Sequence, residues 1–389
     1  MTAPPEVATV KIALVTDTYI PQVNGVTTVV RRQVELLQRA GAAVSVIAPA
    51  YPGDNPADEV PTLRARSAPF PPYPAIRFGF APPGRVARFL DAQAPDLVHV
   101  VTEGPLGLRG RRYALRHGLP LVTSYHTHFP RYCADYGVPK LEPAVWRWIA
   151  WFHRAADLVH TPGDEACEAL RARGVTQAVV WGRGVDTAFF RPNRRDLAWR
   201  AAVGLAPDDV LILHVGRLAA EKNLGVLSEA WKLVHEAFAG RAHFMFAGEG
   251  PEEGRLRQEM PWARQLGFLG REALAHLYAN ADLCVLPSTS ETCGLVALEA
   301  MASGLPVVAA DAGGLRESVV SRGTGLLVRP DDAGALAAGI VELALRRNYR
   351  QALGEGARRA VLPRDSARED RELLNQYQSL IRPPVTEAA

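Results

Sequence analysis

Glu291 and Glu299 stand eight positions apart in the run ETCGLVALE, around a glycine and an otherwise small or apolar stretch. Charged side chains are seldom fully buried without a partner, yet the residues that follow, AMASGLPVVAA, read as core. LCVLPSTS reads as a strand and GLVALEAMASG as a helix, so Glu291 falls in the connecting turn and Glu299 inside the helix. Helical residues at that spacing point about 80° apart and lie about 12 Å apart along the axis. Paired glycosidase carboxylates are separated by roughly 5 to 9.5 Å, so a hydrolytic dyad fits poorly. Two acids at the longer distance can instead accept hydrogen bonds from two parts of one extended, hydroxylated ligand. Between them, the amides of Cys293, Gly294 and Leu295 open the helix, a place attractive to phosphate. The competing reading makes Glu291 a helix cap and Glu299 a solvated residue.

Cations occur at a matching place. GRLAAEKN carries Arg217 and Lys222 just past the strand-like DVLILHV. In doubly wound sheets, ligands bind outside the carboxyl ends of the strands. A planar guanidinium with a point-charge ammonium suits a diphosphate, although a pair of surface cations would look the same. Gly25, in the turn IPQVNG between a strand and a helix, leaves room for an anion to approach backbone amides. His126, in LVTSYHTHFPRY, ends another strand. With His128 it could ligate a metal, but no further acid or histidine pattern supports a site, and Asp-x-Asp is absent. Catalysis without a metal or cofactor is therefore expected. A dinucleotide fingerprint is missing too: GEGPEEG has one residue too many, and no Walker sequence occurs.

These residues need a scaffold, and the chain is long enough for two. At 389 residues it exceeds one ordinary core. Hydrophobic residues make up 48% and charged ones 22%, with no apolar run long enough to span a bilayer. The opening MTAPPEVATVKIALV lacks the basic start and apolar stretch of a secretory signal, so a cytoplasmic protein is expected. Cys133, Cys167, Cys284 and Cys293 have no metal-type spacing and read as reduced thiols, mostly packed. The net charge of +3 argues neither for nor against nucleic acid.

Strand-like and helix-like runs alternate throughout, the pattern of α/β domains with parallel sheets. The pattern restarts after VVWGRGVDTAFFRP, with a seam near Gly182–Asp186. The expected organisation is a flexible stretch at 1–9, a first domain at 10–183, a second at 184–363, a terminal helix at 364–383 and a tail at 384–389. Within the first domain, the proline-dense stretch 49–84 reads as a long surface excursion, unsuited to a central strand or a helix interior. LRGRRYALRHG sets Arg109, Arg111, Arg112, Arg116 and His117 on a helix, read first as a solvated face and second as a surface for anionic lipid. Trp146, Trp148 and Trp151 read mainly as core, with a wet edge.

Taken together, PQVNGV, SYHT, GRGVD followed by Phe190 and Pro192, GRLAAEKN, AGEGPEEGRL, PSTSETCGLVALEAMASGLPVVA and GGLRE resemble the retaining GT-B glycosyltransferases of family four. The resemblance runs through nearly the whole chain. PQVNGVTT, SYHTHF and WGRGVDTAFFRP are similar to the branch of glycolipid α-mannosyltransferases and sulfoquinovosyl-lipid synthases. It implies two Rossmann-like domains facing across a cleft, with the last helix crossing back to the first. It also implies donor-diphosphate contacts at Arg217, Lys222 and Gly25, and sugar and phosphate contacts at Cys293, Gly294 and Leu295. Glu299 would bind the ribose, Glu291 would face the donor sugar, and His126 would stand beside the reacting carbon. Many members have a double glycine where Asn24-Gly25 stands here, and phenylalanine at Cys293.

The implied activity is metal-independent, front-face transfer of a hexose, mannose from GDP-mannose first, to a lipid-linked or other glycan acceptor. Domain closure would exclude water, and peripheral contact with an anionic membrane at the inner face of the plasma membrane would bring the acceptor. A UDP-sugar donor is the alternative within the class. A GT-B epimerase or a non-catalytic sugar-nucleotide-binding protein is the alternative outside it. No nucleic-acid partner is expected.

Overall fold

Strands form here where aliphatic and β-branched residues run uninterrupted, and they are buried on both faces, as parallel strands between helices are. In the computed structural model the described residues are 10–381, apart from 23, 54–56, 71–72, 127–128, 131–132, 134–137, 182–183, 239 and 292. The two expected terminal tails, His128 and the start of the expected seam lie outside the described residues. The chain falls into two units, Met1–Gly182 with Asp370–Ala389, and Arg183–Glu369.

Among its described residues the first unit holds an eight-stranded sheet built from β1 (Lys11–Val15), β2 (Ala43–Pro49), β3 (Thr62–Phe70), β4 (Tyr73–Phe80), β5 (Leu97–Val100), β6 (Leu121–Ser124), β7 (Leu158–Thr161) and β8 (Ala178–Val180). The order is β4-β3-β2-β1-β5-β6-β7-β8. Neighbours pair parallel except β3 with β4. Ile12, Ala13, Leu14 and Val15 of β1 are all buried, as a central strand requires.

The proline-dense segment departs from expectation. Most of it is an edge hairpin, β3 and β4, that widens the sheet. Leu63 and Ala65 alternate inward along β3, supplying the period of two that the prolines mask. The prolines sit where strands tolerate them: Pro61 just before β3, Pro69 at an irregularity in the β3–β4 register, and Pro82 and Pro83 beyond β4.

Two surface helices also differ from the reading above. In the helix Pro105–His117, Arg111 is buried, donating from Nε to Phe152 O at 2.9 Å and stacking over the Trp151 ring at 4.2 Å. In the helix Glu142–His153, Trp146 is core, but Trp148 and Trp151 are 40% and 44% exposed, with ring centroids 5.1 Å apart. The Arg111 stem and the Trp151 ring cover each other, which keeps both out of the places that helical periodicity assigns them.

The last helix, Ser366–Ile381, belongs to the first unit from Asp370 onward. It buries Leu373 and Tyr377, and the Tyr377 hydroxyl bonds His99 Nδ1. His99 Nε2 in turn lies 2.7 Å from Ser124 Oγ, and Gln376 Oε1 lies 2.8 Å from His160 Nε2. These buried groups bond one another, so the helix is docked by a polar pin as well as by apolar contact.

The second unit holds, among its described residues, a six-stranded sheet of β9 (Val210–Val215), β10 (Ala242–Ala247), β11 (Arg264–Gln265), β12 (Leu283–Leu286), β13 (Val307–Ala310) and β14 (Gly325–Val328). The order is β11-β10-β9-β12-β13-β14, and every pair is parallel. The chain winds outward from β9 to β11, then returns to the other side of β9 at β12. That reversal leaves a crevice outside the carboxyl ends of β9 and β12, the place where open α/β sheets bind ligands.

Candidate functional site in the second unit

The loops that leave β9 and β12 carry the residues singled out in the sequence. Arg217 follows β9 by two positions, and Lys222 ends a 3₁₀ turn, Ala220–Lys222. Glu291 lies in the loop after β12. The structure brings two of these together directly: the Lys222 ammonium bonds Glu291 Oε1, with both side chains about one-fifth exposed. Arg217 Nη2 bonds Glu221 Oε1, and the Glu221 side chain is almost wholly buried. Each cation at the crevice is therefore matched to one acid.

Backbone contacts fix the loops that hold these pairs. Ser288 Oγ and Ser290 Oγ both donate to Glu221 O, at 3.1 and 3.0 Å, tying the β12 loop to the β9 loop. Gly314 N donates to Glu291 O at 2.7 Å, so the GGLRE segment holds the β12 loop from the other side. Two of the three glycines of GEGPEEG serve packing: a Cβ at Gly248 would collide with Gly216 O, and one at Gly250 with Leu218 O, while one at Gly254 would meet nothing within 4 Å. That near-fingerprint is a loop pressed against the β9 loop.

Gly294, at φ +68°, caps the helix Leu295–Ala302. The left-handed conformation turns the chain sharply from loop to helix and favours glycine. The helix start leaves its first amides without helical acceptors. Glu299 sits in that helix away from the Lys222–Glu291 pair, partly buried, and its Oε2 accepts from Tyr278 OH at 3.1 Å. Loss of solvent raises its pKa from 4.5 to about 7, against the Tyr278 hydrogen bond and the positive charge of Arg271. The reading of Glu299 as a solvated residue is thereby excluded.

The first unit places the other two candidates at the carboxyl side of its sheet. Gly25 begins the helix Gly25–Arg39, capped by Asn24, whose side chain accepts from Thr27 N at 2.9 Å. A Cβ at Gly25 would meet nothing within 4 Å, so internal packing does not require this glycine. His126 follows β6, and burial, then His160 and His153, lowers its pKa to about 4, leaving a neutral imidazole. Close by, Asp17 accepts from Leu106 N and Gly107 N at the start of the helix Pro105–His117, where burial raises its pKa to about 6.

Residues 196–360 match the model of the group 1 glycosyl transferases, and residues 23–189 match that of glycosyltransferase family 4. A GDP-mannose-dependent alpha-mannosyltransferase of Mycobacterium tuberculosis is 35% identical over 98% of this chain and 99% of its own. The chain belongs to this glycosyltransferase family. A sulfoquinovosyl transferase of Arabidopsis thaliana is 35% identical over 76% of this chain and 59% of its own. In fold the glycosyltransferase is similar to sucrose-phosphate synthase of Thermosynechococcus elongatus, with a TM-score of 0.77 at 21% identity, covering 95% of this chain and 99% of that one. The fold is GT-B.

Four residues of this glycosyltransferase's site escape a reading of single motifs. Glu221 lies four positions from Arg217, a spacing that suggests an ion pair but gives no hint of its burial. Tyr278, in the helix Arg271–Asn280, reaches Glu299 only through tertiary packing. Ser288 and Ser290 read as turn residues, not as clamps. Cys293 is partly exposed, and its carbonyl accepts from Ser318 Oγ at 3.4 Å.

Glu299 makes a testable pH dependence. A carboxyl whose native pKa lies above its unfolded value keeps a proton that the unfolded chain releases. Its share of stability is full below about pH 4.5 and is lost as pH rises through about 7, at up to about 1.4 kcal/mol per pH unit. Asp17, also raised, acts in the same direction at lower pH. Urea unfolding of Glu299→Gln between pH 5 and 7.5 should show a shallower fall than the parent; parallel curves would contradict the raised pKa.

Proposed function

We propose that this glycosyltransferase moves a hexose, mannose from GDP-mannose, to a lipid-linked or other glycan acceptor with retention at the sugar carbon. The observation that carries the reading is the arrangement at the β9–β12 crevice. Two cations, each held by an acid, stand beside a helix start, with a partly buried carboxylate in the next turn. The 35% identity to a GDP-mannose-dependent alpha-mannosyltransferase over nearly the whole chain favours mannose and guanosine. The match to a sulfoquinovosyl transferase keeps a different hexose as the second reading, for which we take a UDP-sugar donor.

In this reading Arg217, Lys222 and the amides of Cys293, Gly294 and Leu295 receive the diphosphate, and Glu299 accepts from the ribose hydroxyls. Glu291 turns to the hexose. In the first unit, the Gly25 amide is assigned to the phosphate and the neutral His126 imidazole to a sugar hydroxyl. The bond from the sugar carbon to the diphosphate oxygen breaks as the acceptor oxygen bonds the same face. The acceptor's proton passes to the departing phosphate oxygen. Charge that develops on the diphosphate is met by fixed cations and amide dipoles, the preorganised stabilisation that such departures need. The reading assigns that neutralisation to side chains and not to a metal.

A membrane-borne acceptor suits the first unit's surface. Trp148 and Trp151 are exposed, as are Arg112, Arg116 and Arg147, aromatic and basic groups of the kinds that anionic bilayer surfaces attract. The reading puts the protein at the cytoplasmic face of the membrane; among the described residues no helix is long and apolar enough to cross it.

Two experiments test this. Purified protein given GDP-mannose or UDP-glucose, in EDTA and with a lipid acceptor extract, should release GDP faster than UDP. Lys222→Ala should lower kcat at least a hundredfold while remaining folded. No release with either donor would overturn the transferase reading, and full turnover by Lys222→Ala the diphosphate role. Vesicles with anionic lipid should sediment the protein, and Trp148→Ala with Trp151→Ala should reduce binding at least fivefold; equal binding to neutral vesicles would contradict the electrostatic part.

A further inference from the structure

His214 is the sixth-from-last residue before the 3₁₀ turn at Ala220 and lies in β9, directly upstream of the cation loop. It is 1% exposed, its ring standing edge-on to Phe246 at 5.9 Å. Nδ1 lies 2.9 Å from Val285 O on the neighbouring strand β12. A carbonyl oxygen only accepts, so Nδ1 carries the ring proton and Nε2 holds a lone pair. Burial, foremost, lowers the pKa of His214 to about 4, which keeps the ring neutral at ordinary pH.

Nε2 is buried with no hydrogen-bond partner among the described residues. A buried acceptor without a donor is costly and rare in native proteins. Lys222, on the loop that leaves β9, carries a candidate donor. The point where a Cβ would stand on Gly216 lies 3.7 Å from His214 Nε2 and 4.0 Å from Lys222 Cε, so both groups border the same small space. His214 also feels the charges of Lys222 and Glu291. No anion suits a lone pair; an ammonium or a hydroxyl does.

We propose that His214 is a positioning residue for the donor-diphosphate site: when the diphosphate draws the Lys222 ammonium off Glu291, Nε2 of His214 accepts one of its N–H groups. Lys222 then has a fixed acceptor behind it and the phosphate in front, while Glu291 is released to the sugar. An ammonium on a flexible four-carbon stem loses aim without such a support. This inference rests on the assignment of the crevice to a nucleoside diphosphate.

The experiment uses full-length protein with ¹⁵N-labelled histidine and GDP or UDP as the added probe. Saturation should move the His214 Nε2 resonance in the direction of a newly accepted hydrogen bond, while Nδ1 stays protonated. The same addition to Lys222→Ala should leave it unmoved. His214→Phe should weaken nucleoside diphosphate binding about tenfold, and His214→Gln, which retains an acceptor, at most about threefold. Failure of the parent protein to bind either nucleotide overturns the diphosphate assignment, and this inference with it. Binding with an unmoved resonance, or with Nε2 becoming protonated, overturns the role of His214 alone. The labelled parent gives that answer even if His214→Phe does not fold.

Discussion

The Lys222–Glu291 pair joins the two loops that flank the strand-order reversal of the second unit, and the remainder of the site is arranged around it. A diphosphate site needs cations close together, yet cations held close together repel one another and lose water. Matching Lys222 to Glu291 and Arg217 to Glu221 answers that constraint without filling the crevice with a stable ion lattice. The Lys222–Glu291 pair is partly exposed, and such pairs contribute only about 0–1 kcal/mol, so exchange of the Glu291 carboxylate for a diphosphate is cheap. The incoming group carries more charge than the carboxylate it displaces and accepts more hydrogen bonds. In the proposed reading Glu291 is a holder in one state and a sugar ligand in the other.

Such an exchange requires loops that stay in place while side chains move. Backbone contacts supply this. Ser288 and Ser290 grip the Glu221 carbonyl, Gly314 grips the Glu291 carbonyl, and Gly248 and Gly250 let a third loop lie flat on the first. None of these contacts uses the charged group of a cation or an acid of the site. Their hydrogen bonds persist whichever partner the charged groups choose, which confines the change to side chains. The helix Leu295–Ala302 continues the same logic, since the left-handed Gly294 fixes its start next to Glu291.

Much of this was legible in the sequence, and the reasons are physical. Both sheets follow from aliphatic runs long enough to bury two faces, and the loop position of Arg217 and Lys222 follows from the strand that ends before them. ETCGLVALE gave its turn and helix correctly because periodicity and a glycine coincide there. The β3–β4 hairpin was hidden because prolines, read locally, outweigh a two-residue alternation as weak as Leu63 and Ala65. Arg111 and the exposed tryptophans were misread because their placement depends on each other across two helices. The pairing of Lys222 with Glu291, 69 positions apart, has no local signal at all. It arises from strand order, which brings β9 beside β12 after two strands have been laid elsewhere.

The most direct test of the exchange is calorimetric titration of Glu291→Gln with GDP and, in parallel, assay of its turnover with GDP-mannose. If Glu291 competes with the diphosphate for Lys222 and then binds the sugar, the two readouts must separate. GDP should bind the variant as tightly as the parent or several-fold more tightly, while kcat/KM for the nucleotide sugar falls at least tenfold. An equal loss of GDP affinity and of turnover would contradict the account, because Glu291 would then be only a brace for the loop.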